Sequence, residues 1–86
     1  MSRLFNHVYK LLIRKIANDD KVVFERAEKR QSNVASITYE KKAQTRVVEI
    51  RPLPDSPNSV LLKEGAKEKV LNRANAKRGV TQFVES

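Results

Sequence analysis

Residues 34–53, VASITYEKKAQTRVVEIRPL, decide the fold, because they hold the clearest two-residue alternation in a chain otherwise dominated by charge. Ala35, Ile37 and Tyr39 share one face, and beyond the polar run Lys41 to Thr45 so do Val48 and Ile50. Thr38, Glu40, Glu49 and Arg51 turn the other way. This pattern predicts a β-hairpin with strands over about 34–40 and 45–51. Its loop contains no Gly, Asn or Asp, so turn chemistry specifies its register poorly. A two-stranded ribbon is marginal in water. Something must cover its apolar face, and the segments on either side read as helices.

Upstream, Leu4, Phe5, Val8, Leu11, Leu12 and Ile16 recur at three- and four-residue steps, while Arg3, Asn6, Lys10 and Arg14 gather opposite. The spacing predicts an amphipathic helix over 3–17. Ser2 is its expected N-cap, and Asn18-Asp19-Asp20 stop it by competing for helical hydrogen bonds. The helix is expected to be a lid on the sheet. A basic, acid-free polar face also suits an anionic lipid surface, the less favoured reading.

Between helix and hairpin, KVVFERA (21–27) is expected as a third strand, with Val22, Phe24 and Arg26 on one face. A helix over 20–31 competes, because Glu25 to Arg30 all tolerate helix. Gln31, Ser32 and Asn33 supply a turn. Downstream, Pro52, Pro54 and Pro57 make residues 52–58 a stiff connector. A helix is then expected over 59–78, capped by Asn58 or Ser59 and closed by Gly79, with Leu62, Ala66, Val70 and Ala74 as its narrow apolar stripe. Residues 80–84, VTQFV, could add a short terminal strand. The expected fold is therefore one small α+β domain, with two or three antiparallel strands and both helices on one face.

The chain has 86 residues, no cysteine, and 18 Lys and Arg against 10 Asp and Glu, a net charge of +8. A chain of this length folds as a single domain with a small core. The missing cysteines exclude disulfides, thiolate metal sites and a thiol nucleophile, and a cytoplasmic setting fits. No apolar run approaches the roughly 20 residues that span a bilayer. The excess charge sits at the ends: residues 1–18 carry four basic and no acidic side chains, and residues 46–86 carry eight and five.

Catalysis has no support in the sequence. His7, the one histidine, has no nucleophile or orienting carboxylate beside it. Asp19-Asp20 reads as a helix stop, and Glu64 and Glu68 as surface ion-pair partners. No metal-ligand cluster or cofactor motif appears.

Polyanion binding is the strongest physical signal. On a 59–78 helix, Lys63, Lys67, Lys69, Arg73, Lys77 and Arg78 surround the apolar stripe, with Lys69, Arg73 and Lys77 in one row and Asn72 and Asn75 free for base edges. Lys10 and Arg14 would extend this surface, and Tyr39 or Phe24 could stack an unpaired base. The expected role is non-enzymatic DNA or RNA binding, regulatory or organising. The rival is a small structural or adaptor protein that docks on an acidic protein partner or assembly through its apolar first helix, and a homo-oligomer is a further expectation.

Overall fold

The computed structural model describes residues 3–30 and 33–86. The first helix, α1 (Arg3–Ala17), forms where the apolar periodicity places it. Its stripe Leu4, Phe5, Val8, Leu12 and Ile16 is buried, and Tyr9, Leu11 and Ile13 pack beside it. The Asn-Asp-Asp stop works through Asp19, whose side chain accepts the Lys21 backbone N–H at 3.0 Å and whose carbonyl accepts that of Val22 at 3.1 Å. The expected Ser2 cap, and Gln31 and Ser32 of the expected turn, lie outside the described residues.

Five strands follow in an antiparallel meander of order β1-β2-β3-β4-β5. They are β1 (Val22–Arg30), β2 (Val34–Lys41), β3 (Gln44–Pro52), β4 (Ser59–Glu64) and β5 (Lys67–Asn72). A second helix, α2 (Ala76–Glu85), completes the chain. The domain is α+β as expected, but its sheet has five strands rather than two or three.

The central hairpin forms as expected, and its register sets Ile37 opposite Val48 and Ala35 opposite Ile50. Its two-residue turn is Lys42-Ala43, and both residues take left-handed conformations (φ 54° and 62°). That geometry matches the twist of the flanking strands and usually calls for Asn-Gly. Residues 21–31 are not helical. β1 instead carries a bulge at Glu25: Phe24 pairs with Tyr39, and Arg26 with Thr38. The extra residue shifts the alternation, so Arg26 faces away from Val22 and Phe24, contrary to the simple two-residue reading.

The 59–78 segment is the main correction. It is a hairpin, β4 and β5, turning through Gly65-Ala66 with Gly65 at φ 60°. Glycine at the first position of a two-residue turn makes that conformation inexpensive. Val60 and Leu62 on β4 and Leu71 on β5 point into the core, while Leu61 and Val70 pair on the opposite face. The four-residue spacing from Leu62 to Ala74 never becomes a helical stripe. Gly79 is likewise not a helix terminator. It lies inside α2, where a Cβ would overlap Leu71 Cδ2 and come within 3.3 Å of Lys69 Cε. Glycine is what lets α2 rest against β5. Residues 80–84 are helical rather than extended, and bury Val80, Phe83 and Val84.

Both helices cover the same face of the sheet. The core is continuous from α1 through Tyr39, Ile50 and Leu62 to Phe83. The ends of α1 and α2 meet at Lys15–Glu85, 2.9 Å apart.

Candidate nucleic-acid interface

Charge divides between the two faces of the molecule. Strand alternation places Arg26, Arg30, Arg51 and Lys63 on the uncovered sheet face together with Glu28, Glu40, Glu49 and Glu68. These eight charges cancel, so the whole +8 lies on the helical side, the edges and the loops. The sheet-face bases also find local partners: Lys63 reaches Glu68 at 3.0 Å, Arg51 reaches Glu49 at 3.4 Å, and Arg26 and Arg30 flank Glu28 at 3.7 and 4.0 Å.

The outer surface of the helix pair differs in having bases without acids. Arg3, Lys10 and Arg14 lie along exposed α1, which has no acidic residue in its 15 positions. Lys77 and Arg78 are exposed in the first turn of α2, which also lacks an acid. Arg14 and Lys77 line one groove of about 410 Å³ between the helices, with Leu11, Val80 and Thr81. Arg3 and Arg73 line a second hollow, of about 400 Å³, at the start of α1. None of these six cations has an ion-pair partner among the described residues. The one acid of α2, Glu85, is held by Lys15.

Other expected site residues are placed elsewhere. Lys63 is on the opposite face. Lys69 lies half-buried on the helix side of β5, its stem against Gly79. The row Lys69, Arg73, Lys77 does not exist, because the three belong to a strand, a turn and a helix. The acceptor oxygens of Asn72 and Asn75 are not free for base edges: Asn72 Oδ1 accepts the Ala74 and Asn75 backbone N–H groups at 3.0 Å, and Asn75 Oδ1 accepts that of Asn72 at 2.8 Å. Tyr39 is fully buried. Phe24 is 44% exposed, but on the edge strand β1. With Phe5 and Phe83 buried and Tyr9 under Lys29 (4.5 Å), the basic surface offers no aromatic platform. Arg3, missing from the expected set, shares the stripe of Lys10 and Arg14, and its seven-residue spacing from Lys10 marks it.

Lys67 serves a structural centre. The last carbonyls of α2 have no helical partners, and three cations from the sheet supply them. Lys41 Nζ donates to Val84 O at 2.7 Å, Lys67 Nζ to Phe83 O at 3.0 Å, and Arg46 Nη1 to Val84 O at 3.2 Å. Positive charge at this end also interacts favourably with the negative end of the helix dipole. Lys67 Nζ further contacts Ser86 Oγ. Arg46 spreads over the Tyr39 ring, 5.3 Å from its centre, and grips Glu64 with Nε and Nη2 at 2.7 and 2.5 Å. Those hydrogen bonds hold the Glu64 carboxyl below its ordinary pKa. Burial, then the nearby Arg46 charge, lowers that of Lys67. A hollow of about 600 Å³ opens beside this centre, but three of its four cations are committed to α2.

Among the described residues, no group of three or more His, Cys, Asp or Glu could hold a metal ion, and no helix is long and apolar enough to cross a membrane. The chain matches no family model, no curated protein and no solved structure.

Proposed function

We propose that the protein is a small, non-catalytic nucleic-acid-binding protein that holds its ligand through phosphates on the outer surface of α1 and α2. The observation that carries this is the acid-free stripe of exposed, unpaired cations there, against a sheet face whose charges cancel. From Arg3 to Arg14 the helix rises about 16 Å, enough for its cations to reach more than one backbone phosphate. Buried aromatics and internally bonded Asn side chains favour backbone contact over base readout. The adaptor reading loses its main support, because the apolar face of α1 is covered by the sheet and is not free for a partner or for lipid.

The test is binding to labelled duplex DNA and single-stranded RNA across a salt series, with the variant K10E/R14E/K77E. The unaltered protein should bind at low salt, and its log affinity should fall with log salt at a slope of about −0.9 per contacted phosphate. The triple variant should lose affinity and flatten the slope, whereas Arg26→Gln on the sheet face should change neither. Absence of binding at low salt, or an unaffected triple variant, would remove the proposal.

A further inference from the structure

The uncovered sheet face has an internal order beyond its zero net charge. Glu28, Glu49 and Glu68 lie in one cross-strand row, because Glu28 pairs with Ser36, Ser36 with Glu49, Glu49 with Lys63 and Lys63 with Glu68. Two residues along, about 7 Å away on the same face, lies a row without acids. Arg30 pairs with Val34 there, Arg51 with Leu61, and Leu61 with Val70. An acid-bearing row thus runs beside a basic and apolar one, offset by the same two residues on every strand.

That offset makes the face complementary to itself. A two-fold axis crossing the strands midway between the rows carries each row onto the other. Glu49 then faces Arg51 of the second copy and Arg51 faces its Glu49, while Glu28 and Arg30 exchange in the same way on β1. Such reciprocity is the signature of an isologous contact. β3 is the central strand, so the rotation of roughly 30° between packed sheets displaces the Glu49–Arg51 pairs least. We propose that this face seats a second copy of the chain, sheet against sheet.

Two further observations select that occupant. The helix side carries exposed cations without acidic partners, so two copies approach with less repulsion through this balanced face. Its exposed apolar side chains nearest the axis, Val47 (45%) and Val70 (52%), give each copy something to bury. A nucleic acid would meet a row of carboxylates there. Five strands about 4.8 Å apart offer on the order of 450 Å² per copy, or about 900 Å² in all, within the range of weak, reversible interfaces. In the dimer the basic helix pairs point outward in opposite directions. The contact goes beyond the nucleic-acid reading and does not depend on it.

Sedimentation velocity of the purified chain, without nucleic acid, from micromolar to near-millimolar concentration tests this. The unaltered chain should pass from monomer to dimer over that range. Glu49→Arg sets arginine against Arg51 of the second copy and should weaken the dimer at least about tenfold, as should Arg51→Glu. The double exchange E49R/R51E restores opposite charges across the axis and should restore the dimer, although each single change weakens it. Circular dichroism and urea midpoints establish that each variant is folded. A chain that stays monomeric throughout, a dimer indifferent to Glu49→Arg, or a folded double exchange that remains monomeric would overturn the proposal.

Discussion

Gly79→Ala should destabilise this protein, against the usual sign for a glycine inside a helix. Alanine is favoured over glycine there by about 1 kcal/mol, and an exposed helix interior at this point would show that gain. Here the new methyl would overlap Leu71 Cδ2 and press on Lys69 Cε. Leu71 is fully buried, so its methyl can withdraw only by displacing core neighbours. Overpacking of that kind typically costs about 1–3 kcal/mol. Taking the middle of that range less the propensity gain leaves a net loss of about 1 kcal/mol. Urea unfolding followed by far-ultraviolet circular dichroism would read this as a midpoint lower by about 1 M, for a slope on the order of 1 kcal/mol/M. The decisive comparison uses Leu71→Val, which deletes the clashing atom. In that background Gly79→Ala should raise the midpoint, by up to about 1 M, because the propensity gain is no longer opposed. A midpoint that rises equally in both backgrounds would show that α2 does not rest on β5, and would refute the packing described above.

Other perturbations test separate parts of the structure. Replacing Lys42-Ala43 with Asn-Gly should stabilise by about 1 kcal/mol, since Asn and Gly tolerate the left-handed conformations that Lys and Ala now adopt, and thermal unfolding should shift upward by about 4–8 °C. Arg46 holds the Glu64 carboxyl below its ordinary value of 4.5. That pairing therefore contributes stability above about pH 4.5 and loses it as the pH falls through the lower folded value, so Glu64→Gln should flatten the acid side of a melting-temperature profile. The Tyr39 hydroxyl is buried without a hydrogen-bond partner among the described residues. Tyr39→Phe should leave stability unchanged or raise it by up to about 1 kcal/mol at neutral pH. Burial pushes the Tyr39 pKa up from 10.0 to about 12, so its contribution is complete below pH 10 and lost as the pH rises through 12. The Phe variant should lack that part of the alkaline decline.

The sequence makes α1, β2 and β3 legible because each buries one face of a regular period, and no neighbour disturbs the register. β1 is harder to read, since the bulge at Glu25 inserts one residue and breaks the alternation that defines a strand. The 59–78 segment misleads for a different reason. Leu62, Ala66, Val70 and Ala74 are four apart by coincidence, and the charged residues between them tolerate helix. The contrary signals are present: Val60-Leu61-Leu62 favours a strand, and Gly65 interrupts any helix at the point where a two-residue turn needs it. Weighed as turn chemistry, Gly65 divides the segment into two strands of equal length. Gly79 carries the opposite lesson, because a close approach between elements leaves no local trace.

For the candidate interface, composition names the class of partner but cannot say which cations remain free. A lysine is available to a phosphate only where the fold gives it nothing nearer to pair with. Lys67 and Lys63 are four residues apart and chemically alike, yet one is occupied by the carbonyls of α2 and the other by Glu68. Lys10 and Lys77 have no such neighbour, because their helices place no acid within a turn of them. The acid-free run of residues 1–18 is the part of this that the sequence does display, and it marks the stripe that pairs with α2. The rest depends on β4 and β5 folding as a hairpin. That hairpin sends Lys63 to the far face, turns Lys67 under the helix end, and brings Arg73 and Lys77 beside α1. Lys63 and Lys67 of a charge cluster contiguous in sequence are thereby taken up, and Arg73, Lys77 and Arg78 join cations about 60 residues away.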